Sequence, residues 1–348
     1  MLYRAEFRPS FENGPERGHS GIAAVENLVA NEPEKLTSEL ATVVIATRNR
    51  KDDLRRAIAS CMLQVPRVTV LVLDDGSTDG TAEMVAKSFP QLSRSENSLG
   101  TSAQRNRGAP MAATPFIVSI DDDAEFVSPD TIAQTLSEFD HPRVGAVAIP
   151  FVNVNEGPNV LSRTPAPGGS IHVSDTYVGT AYVVRRELFL RLGGYRVSLF
   201  QQGEESDFCL RLLERRYVTR LGNSDPIRHY HSPRRDHRRV YMLVARNNVL
   251  FAWHNVPLDA LPIHLFGATV KLLLLGLCRR HPLWILCGVA RGYAAIIANP
   301  FAREPISRGI YKLARRLKKA GSAPLHEIED LLRALPTDDV QRKSDCQT

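Results

Sequence analysis

The chain has 348 residues, of which 43% are hydrophobic and 24% are charged. These proportions are typical of a soluble globular protein and exclude a collagen-like, coiled-coil or wholly disordered chain. The 44 Lys and Arg residues outnumber the 38 Asp and Glu residues by only six. This excess is too small for a dedicated nucleic-acid binder, so no nucleic-acid partner is expected.

Cysteine usage and the N-terminal pattern indicate the compartment. The five cysteines are scattered and never form a C-x-x-C pair, which argues against a disulfide framework or a zinc site. The first 21 residues contain no apolar run of the kind found in secretory signals. We therefore expect a cytoplasmic protein.

The predicted elements change in character at about residue 40. Residues 1–40 mix Pro, Gly, Glu and Asn with short apolar segments, which predicts a flexible extension with one short helix around Gly21–Ala30. From Ala41 onward, β-branched runs alternate with helical stretches. The predicted strands are Thr42–Ala46, Thr69–Leu73, Leu92–Ser95, Phe116–Ile120, Val144–Pro150, Ala181–Val184 and Tyr217–Leu221, and the predicted helices are Asp52–Gln64, Thr81–Phe89, Thr101–Ala113 and Glu204–Arg215.

This alternation predicts an α/β domain over residues 41–250, with a mostly parallel, Rossmann-like central sheet covered by helices on both faces. Three polar loops follow its strands: Thr47–Lys51, Asp74–Gly80 and Asp121–Glu125. Because ligands bind where loops leave the carboxyl ends of parallel strands, these loops should share one functional edge. The chain contains neither G-x-G-x-x-G nor a Walker motif, so phosphate groups would be held by a metal and basic side chains.

The run Asp121-Asp122-Asp123 directly follows a predicted buried strand. Three adjacent carboxylates repel one another unless a cation or hydrogen-bond donors compensate them. Residues at i and i+2 project to the same side of an extended segment, and Mg²⁺ or Mn²⁺ prefers such oxygen ligands. The run therefore indicates either a divalent-metal site or an acidic helix-capping turn before Pro129.

Two further acidic segments allow a structural and a chemical interpretation. Asp75 lies in a turn that either caps the next helix or presents a carboxylate to a base imide or a ribose hydroxyl. Glu204, Glu205 and Asp207 open a predicted helix, where acids stabilise the first turn through the helix dipole. One of the three could instead act as a general base toward an acceptor hydroxyl.

Several motifs occur in a characteristic order: VVIATRNR, VLDDGSTDGT, AQRNRGAP, FIVSIDDDAEF, GTAYVVRRELFLRLGGY and GEESDFCLRL. With this order and spacing, residues 41–250 resemble family 2 glycosyltransferases. The resemblance implies a GT-A-type nucleotide-sugar-binding domain and an inverting, metal-dependent, hexosyltransferase-type reaction. The donor would be a nucleotide-diphosphate sugar and the acceptor a glycan or a lipid-linked molecule, in cell-surface polysaccharide or glycolipid synthesis.

The resemblance also implies roles for individual residues. Asp75 would hold the base, and Arg105 would lie beside the nucleotide. The residues implied in nucleotide-sugar binding are Thr47, Arg48, Asn49, Asp75, Arg105, Asp121 and Asp122. The segment Asn153–Asp175 would contribute to acceptor choice.

The implied metal and catalytic residues come from three segments. Asp121 and Asp123 would form the D-x-D pair, with Asp123 the direct ligand of Mn²⁺ or Mg²⁺, and His229 would complete the metal or pyrophosphate contacts. Glu205 occupies the position of the general base, where the family more commonly has Asp. Because of this departure, Glu204 and Asp207 remain competing candidates.

Two other functions remain open at this point. A sugar-1-phosphate nucleotidyltransferase would require a Gly-rich basic signature near the first strand, which ATRNR does not supply. A catalytically silent, nucleotide-sugar-binding membrane scaffold would bind the donor without turnover. The intact set of carboxylates argues against the scaffold.

The C-terminal third is apolar and basic. Leu261–Cys278 and Pro282–Asn299 approach the length of a membrane span but contain Lys271 and Arg291. They could form a buried helical subdomain, in-plane membrane helices or a hairpin of true spans. We predict a membrane-associating region over residues 251–300 and a basic helical tail over 301–348, bound peripherally to the cytoplasmic face of a membrane.

Overall fold

The computed structural model describes residues 40–88, 92–157, 161–163, 166, 168, 170–230 and 236–335. The predicted extension, with its short helix, lies outside the described residues apart from Leu40. The last 13 residues of the predicted tail also lie outside them.

The first half of the fold follows the predicted alternation of strands and helices closely. Strands β1 to β4 are all parallel and lie in the order β4-β1-β2-β3. Their side chains are buried on both faces: Val43 and Ile45 contribute to one core, and Val44 and Leu73 to the other. The elements are β1 (Ala41–Thr47), α1 (Lys51–Met62), β2 (Thr69–Asp74), α2 (Thr81–Ser88), β3 (Leu92–Arg94), α3 (Thr101–Met111) and β4 (Phe116–Ile120).

The second half turns the sheet into a mixed one. Its strands are β5 (Ala124–Glu125), β6 (Val144–Ala148), β7 (Phe151–Asn153), β8 (Leu161–Arg163), β9 (His172–Ser174), β10 (Ala181–Arg185), β11 (Val218–Leu221), β12 (Ile227–His229) and β13 (Ala323–Pro324). Its helices are α4 (Thr131–Ser137), α5 (Arg186–Arg191), α6 (Glu204–Glu214), α7 (His237–Asn255), α8 (Leu261–Cys278), α9 (Pro282–Ala298), α10 (Arg308–Ala320) and α11 (Leu325–Ala334).

The main sheet of the described residues has nine strands in the order β13-β9-β11-β6-β10-β4-β1-β2-β3. Strand β10 runs antiparallel to both β4 and β6, and β9 and β13 add further antiparallel pairs. The α/β class and the central sheet are confirmed, whereas the parallel order extends only over β1 to β4 and the β6–β11 pair. Apolar runs buried on both faces look alike in parallel and antiparallel surroundings, so strand direction was not readable from them.

A second, four-stranded sheet with the order β5-β12-β7-β8 positions part of the functional edge. Strand β12 lies antiparallel to β5, and their register places His229 opposite Ala124. On its other side β12 is parallel to β7, with His229 opposite Asn153. The backbone pairing therefore places His229 beside both the acidic run and the start of the segment after β7.

Helices α7, α8 and α9 pack together around a small core that includes Val249, Leu272 and Ile285. Of the helices in the described residues, α8 alone has the length and hydropathy that a membrane span requires. Only three of its residues, Leu261, Leu272 and Gly276, are buried. Large apolar side chains on α8 and α9 therefore remain exposed.

Helices α10 and α11 lie in the segment predicted as a basic helical tail, and they pack against the main core. Ile310, Leu313 and Leu317 recur at the helical spacing and pack with Val147 and Leu213. Strand β13 then pairs with β9 at the edge of the sheet. The basic residues of α10 occupy its opposite, exposed face, so the segment is amphipathic and not merely basic.

Replacing Leu317 tests this packing. Leu317 is fully buried, so Leu317→Ala should lower the free energy of unfolding by about 2–4 kcal/mol through lost burial and the resulting cavity. The adjacent, exposed Lys318→Ala should change it by less than about 0.5 kcal/mol. Urea denaturation of both variants measures the difference, and equal small effects would contradict the shared core.

Candidate active site

The polar loops meet in one cavity of about 620 Å³ at the carboxyl ends of β1, β2 and β4. Segments after β10 and β12 and the first turns of α6 and α7 complete its wall. The predicted residues that line it are Thr47, Arg48, Asp75, Arg105, Asp121, Asp122, Asp123, Glu204, Glu205 and His229. The two remaining predicted residues, Asn49 and Asp207, do not line it.

Asp121, Asp123 and His229 form a cluster that could hold a metal ion. One ligand atom from each lies within 4.8 Å of the others. The Nε2 atom of His229 is 3.2 Å from Asp123 Oδ1 and 4.0 Å from Asp121 Oδ2. Two carboxylates and one imidazole suit a divalent cation such as Mn²⁺.

Asn153 orients the imidazole of His229. Its Nδ2 donates a hydrogen bond to Glu156 Oε1, so its Oδ1, 2.9 Å from His229 Nδ1, is the acceptor. An imidazole that donates from Nδ1 can offer its Nε2 lone pair to a metal ion held by the carboxylates, as in metal-binding histidines whose other nitrogen is held by a second residue. The donor set therefore fits a metal. Sequence analysis missed this role because Asn153 and His229 are 76 residues apart.

Arg50 compensates one side of the acidic run. Its Nη1 lies 2.7 Å from Asp122 Oδ1 and 2.9 Å from Asp123 Oδ2. Thr47 Oγ1 donates to the other oxygen of Asp122 at 2.8 Å. Burial nevertheless raises the pKa of Asp122 to about 7, against the effect of Arg50. Sequence analysis did not single out Arg50. Its position after β1 could have indicated this role, because β1 lies beside β4 and the three carboxylates after β4 need a nearby cation.

Arg105 connects the acidic run to the first turn of α6. Its Nη2 is 2.9 Å from Asp121 Oδ1, and its Nη1 is 3.7 Å from Glu204 Oε1 and 3.8 Å from Glu205 Oε1. The guanidinium also donates to the backbone oxygen of Gly179. A Cβ on Gly179 would lie 2.2 Å from Glu205 Oε1, so a larger residue there would displace the Glu205 side chain.

Glu204 and Glu205 differ in their access to the cavity. The side chain of Glu204 is 2% exposed, and its Oε2 atom has no hydrogen-bond partner among the described residues. The side chain of Glu205 is 17% exposed. Burial raises the pKa of both carboxyls, and Arg105 opposes the rise. Both carboxyls thus hold a proton more tightly than an ordinary glutamate, as a general base requires, and Glu205 is the more accessible of the two.

Asp207 lies in the first turn of α6 but does not line the cavity. Its fully buried carboxylate lies 3.2 Å from Arg196 Nε and 2.9 Å from Arg211 Nε. The Nδ2 of Asn255 donates a hydrogen bond of 2.7 Å to the same carboxylate. The structure therefore gives Asp207 a packing role, because Arg196, Arg211 and Asn255 hold its carboxylate.

Asp75 lines the cavity, but its four acceptor positions are already used. Its oxygens accept from the Oγ of Ser98, the backbone nitrogens of Leu99 and Gly100, and the Nε2 of Gln104. In this conformation Asp75 organises the segment before α3 instead of offering an acceptor to a base.

Asn49 also organises a loop. Its backbone nitrogen donates to Ser77 Oγ, and its side-chain oxygen accepts from the backbone nitrogen of Thr78. These two contacts tie the loop after β1 to the loop after β2. Arg48 lies beside Asn49 and lines the cavity directly.

Comparison with known proteins supports one family. Residues 42–200 match the family described as Glycosyl transferase family 2. A pre-mycofactocin glycosyltransferase of Mycobacterium tuberculosis is 30% identical over 190 residues, which are 50% of this chain and 39% of that protein. The succinoglycan biosynthesis protein ExoU of Rhizobium meliloti is 31% identical over 101 residues, 28% of this chain and 29% of ExoU. The chain thus spans about two fifths of the first relative's length.

The solved mannosyltransferase PcManGT of Pyrobaculum calidifontis, in complex with GDP-Man and Mn²⁺, has a similar fold. The TM-score is 0.50 at 18% identity, with 85% of this chain and 86% of that chain covered. The sheet order and this likeness define a GT-A-type α/β fold. Residues 42–200 of the chain are therefore similar to glycosyltransferase family 2.

The metal cluster can be tested without any sugar substrate. Asp123→Asn should abolish Mn²⁺ binding because a neutral amide is a weak ligand for a hard cation. Asn153→Ala should weaken it by about 10–100-fold, the usual effect of removing the partner that orients a ligating histidine. Calorimetric titration with Mn²⁺ measures both effects.

The matched control is Asn248→Ala, because Asn248 is exposed and its side chain donates only to the backbone of its own helix. It should bind Mn²⁺ like the unmodified protein. Unchanged Mn²⁺ affinity in a folded Asn153→Ala protein would contradict the proposed orientation of His229.

Proposed function

We propose that the protein is an inverting, metal-dependent glycosyltransferase that moves a sugar from a nucleotide-diphosphate sugar to an acceptor hydroxyl. The observation that carries this proposal is the arrangement of two groups in one cavity. The Asp121–Asp123–His229 cluster and the Glu204–Glu205 pair face each other there, connected by Arg105. The match of residues 42–200 to glycosyltransferase family 2 supports the same reaction class.

The donor is an anion, and the cavity offers cations and a metal cluster for it. Bound between Asp121, Asp123 and His229, a divalent ion would supply positive charge that stabilises the leaving diphosphate. Arg48 and Arg239, which line the same cavity, offer further charge-assisted hydrogen bonds to phosphate oxygens. GDP-Man and Mn²⁺ in the similar mannosyltransferase support a donor of this kind.

The reaction on this geometry is a single displacement. A carboxylate of α6 accepts the proton of the acceptor hydroxyl, while the hydroxyl oxygen forms a bond to the anomeric carbon. The bond between that carbon and the diphosphate oxygen breaks, and its electron pair leaves with the nucleoside diphosphate. We assign the proton transfer to Glu205, because it is more accessible than Glu204, whereas Asp207 is committed to its ion pairs.

Amide substitutions on α6 test this assignment. Glu205→Gln should lower kcat by about 10²–10⁴-fold with little change in donor KM, because only proton transfer is lost. Asp207→Asn should instead lower thermal stability, because it leaves the partly buried Arg196 and Arg211 with a weaker partner. Nucleoside-diphosphate release and thermal unfolding separate the two effects.

Glu204→Gln serves as the matched comparison on the same turn. A larger kcat loss for Glu204→Gln than for Glu205→Gln would transfer the base role to Glu204. Because burial raises the pKa of Glu205, protonation inactivates it at higher pH than an ordinary Glu. Activity should therefore fall as pH decreases toward a midpoint above 4.5, the ordinary value. Nucleotide binding without any turnover would favour the catalytically silent scaffold.

We also propose that the protein binds the cytoplasmic face of a membrane through α8 and α9. Exposed apolar residues on these helices and just beyond them include Ile263, Phe266, Leu274, Leu283, Ile297 and Phe301. Lys271, Arg279 and Arg280 are exposed on the same hairpin and could reach anionic headgroups. Peripheral contact would suit a lipid-linked or membrane-proximal glycan acceptor. The likeness to ExoU supports a role in polysaccharide synthesis.

Flotation with liposomes tests this attachment on the full chain. The unmodified protein should float with anionic vesicles, and high salt should weaken the binding. The triple variant Ile263→Ser, Phe266→Ser and Leu274→Ser should lose flotation because it removes exposed apolar surface.

A second triple variant provides the control: Leu40→Ser, Leu63→Ser and Val197→Ser. These side chains are also exposed but lie outside the hairpin, so the variant should float normally. Failure of the unmodified protein to float, or equal loss in both triple variants, would contradict attachment through α8 and α9.

A further inference from the structure

The segment from His237 to Pro300 has an unusual charge distribution. It contains seven arginines and lysines but a single acid, Asp259. The carboxylate of Asp259 lies 2.6 Å from Arg308, outside the segment. The cations of α7, α8 and α9 therefore have little compensation from their own segment.

Two of these cations, Arg246 of α7 and Arg291 of α9, lie close together. A Cβ on Gly292 would be 3.0 Å from the backbone oxygen of Arg246, so the two helices are in close contact at this level. The Nη1 of Arg291 lies 2.7 Å from the sulfur of Met242, one turn before Arg246. Neither arginine forms an ion pair in the part of the chain that the structure describes. Burial and the neighbouring Arg291 charge lower the pKa of Arg246.

This arginine pair lies between the active-site cavity and the apolar hairpin. Arg239 and Leu243 line the cavity, and Arg246 follows them on the same face of α7 at the i+7 and i+3 positions. Arg246 Nη1 also donates to the backbone oxygen of Ser198, two residues before Phe200 in the cavity wall. On α9, the exposed Trp284 lies two turns from Arg291 on the same face.

We propose that Arg246 and Arg291 form a binding site for the phosphate group of a lipid-linked acceptor. The proposal rests on the glycosyltransferase function and names the acceptor's chemical class. Arg246 is half-buried and Arg291 is exposed, and their like charges repel each other until an anion lies between them. Phosphate oxygens match the planar donor pattern of arginine, and Arg239 continues the positive charge toward the cavity. A lipid anchored beside Trp284 would thus present its phosphate to the pair and its adjoining group to the cavity.

Vesicle binding tests the site without knowledge of the natural acceptor. Two types of phosphatidylcholine vesicle with the same surface charge serve as probes. One carries phosphatidic acid, which is a lipid phosphate monoester, and the other carries phosphatidylglycerol. The unmodified protein should bind the phosphatidic acid vesicles about tenfold more tightly, in the range of one charge-assisted hydrogen bond. The double variant Arg246→Gln and Arg291→Gln should lose this preference.

The double variant Lys271→Gln and Arg279→Gln is the matched control, because it removes two charges from the hairpin away from the pair. It should bind both vesicle types more weakly and keep the preference. The single variant Arg291→Gln covers the case in which Arg246→Gln disturbs folding, since Arg291 is exposed. Arg291→Gln should reduce the preference for phosphatidic acid. Free inorganic phosphate added to the vesicle assay should compete only weakly.

Equal binding of both vesicle types by the unmodified protein would overturn the proposal, as would the same loss of preference in both double variants. Either result would indicate general attraction to anionic lipid. Effective competition by inorganic phosphate would also overturn it in favour of a site for free phosphate. Binding of GDP and UDP with Mn²⁺, measured in parallel, reports on the donor cavity. Absence of GDP and UDP binding would contradict the proposed function, but the comparison of the two vesicle types could still be interpreted.

Discussion

The compensation of the acidic run after β4 is the interaction on which the rest of the site depends. Asp121, Asp122 and Asp123 place three carboxylates at the end of a buried strand, where like charges repel strongly. Arg50 contacts Asp122 and Asp123 from the loop after β1, and Arg105 contacts Asp121 from α3. One face of the run remains available for His229 and a divalent ion. The arginines thus hold the run together and direct its remaining charge into the cavity.

The two halves of the site come from different parts of the topology. The parallel strands β1, β2 and β4 bring the loop residues to one edge, as in other open α/β sheets. The small sheet brings His229 beside the run through the β5–β12 and β7–β12 pairs. Helix α6 supplies Glu204 and Glu205, and Arg105 connects them to Asp121. Glu205 and the acidic run therefore share one cavity although Glu205 follows Asp123 by 82 residues in the chain.

The C-terminal third divides into two parts with different physical roles. Helices α10 and α11 bury an apolar stripe in the main core, so they stabilise the domain that holds the site. Helices α8 and α9 pack on α7 but leave large apolar side chains in solvent. Helix α7 connects the two environments because its first turns line the cavity and its middle contacts α9. This continuity underlies the proposals of membrane contact and of a phosphate site.

Local pattern was sufficient for much of this protein. Buried strands produce apolar β-branched runs, and the acidic segments after them were readable as site candidates because their chemistry is carried by neighbouring residues. Strand direction was not readable, since β10 has the same apolar pattern in either orientation. The partners of single residues were equally hidden: Asn153 meets His229 only through β7–β12 pairing, and Asp207 forms ion pairs with Arg196 and Arg211. Such contacts join residues distant in the chain, so only the packed fold decides them.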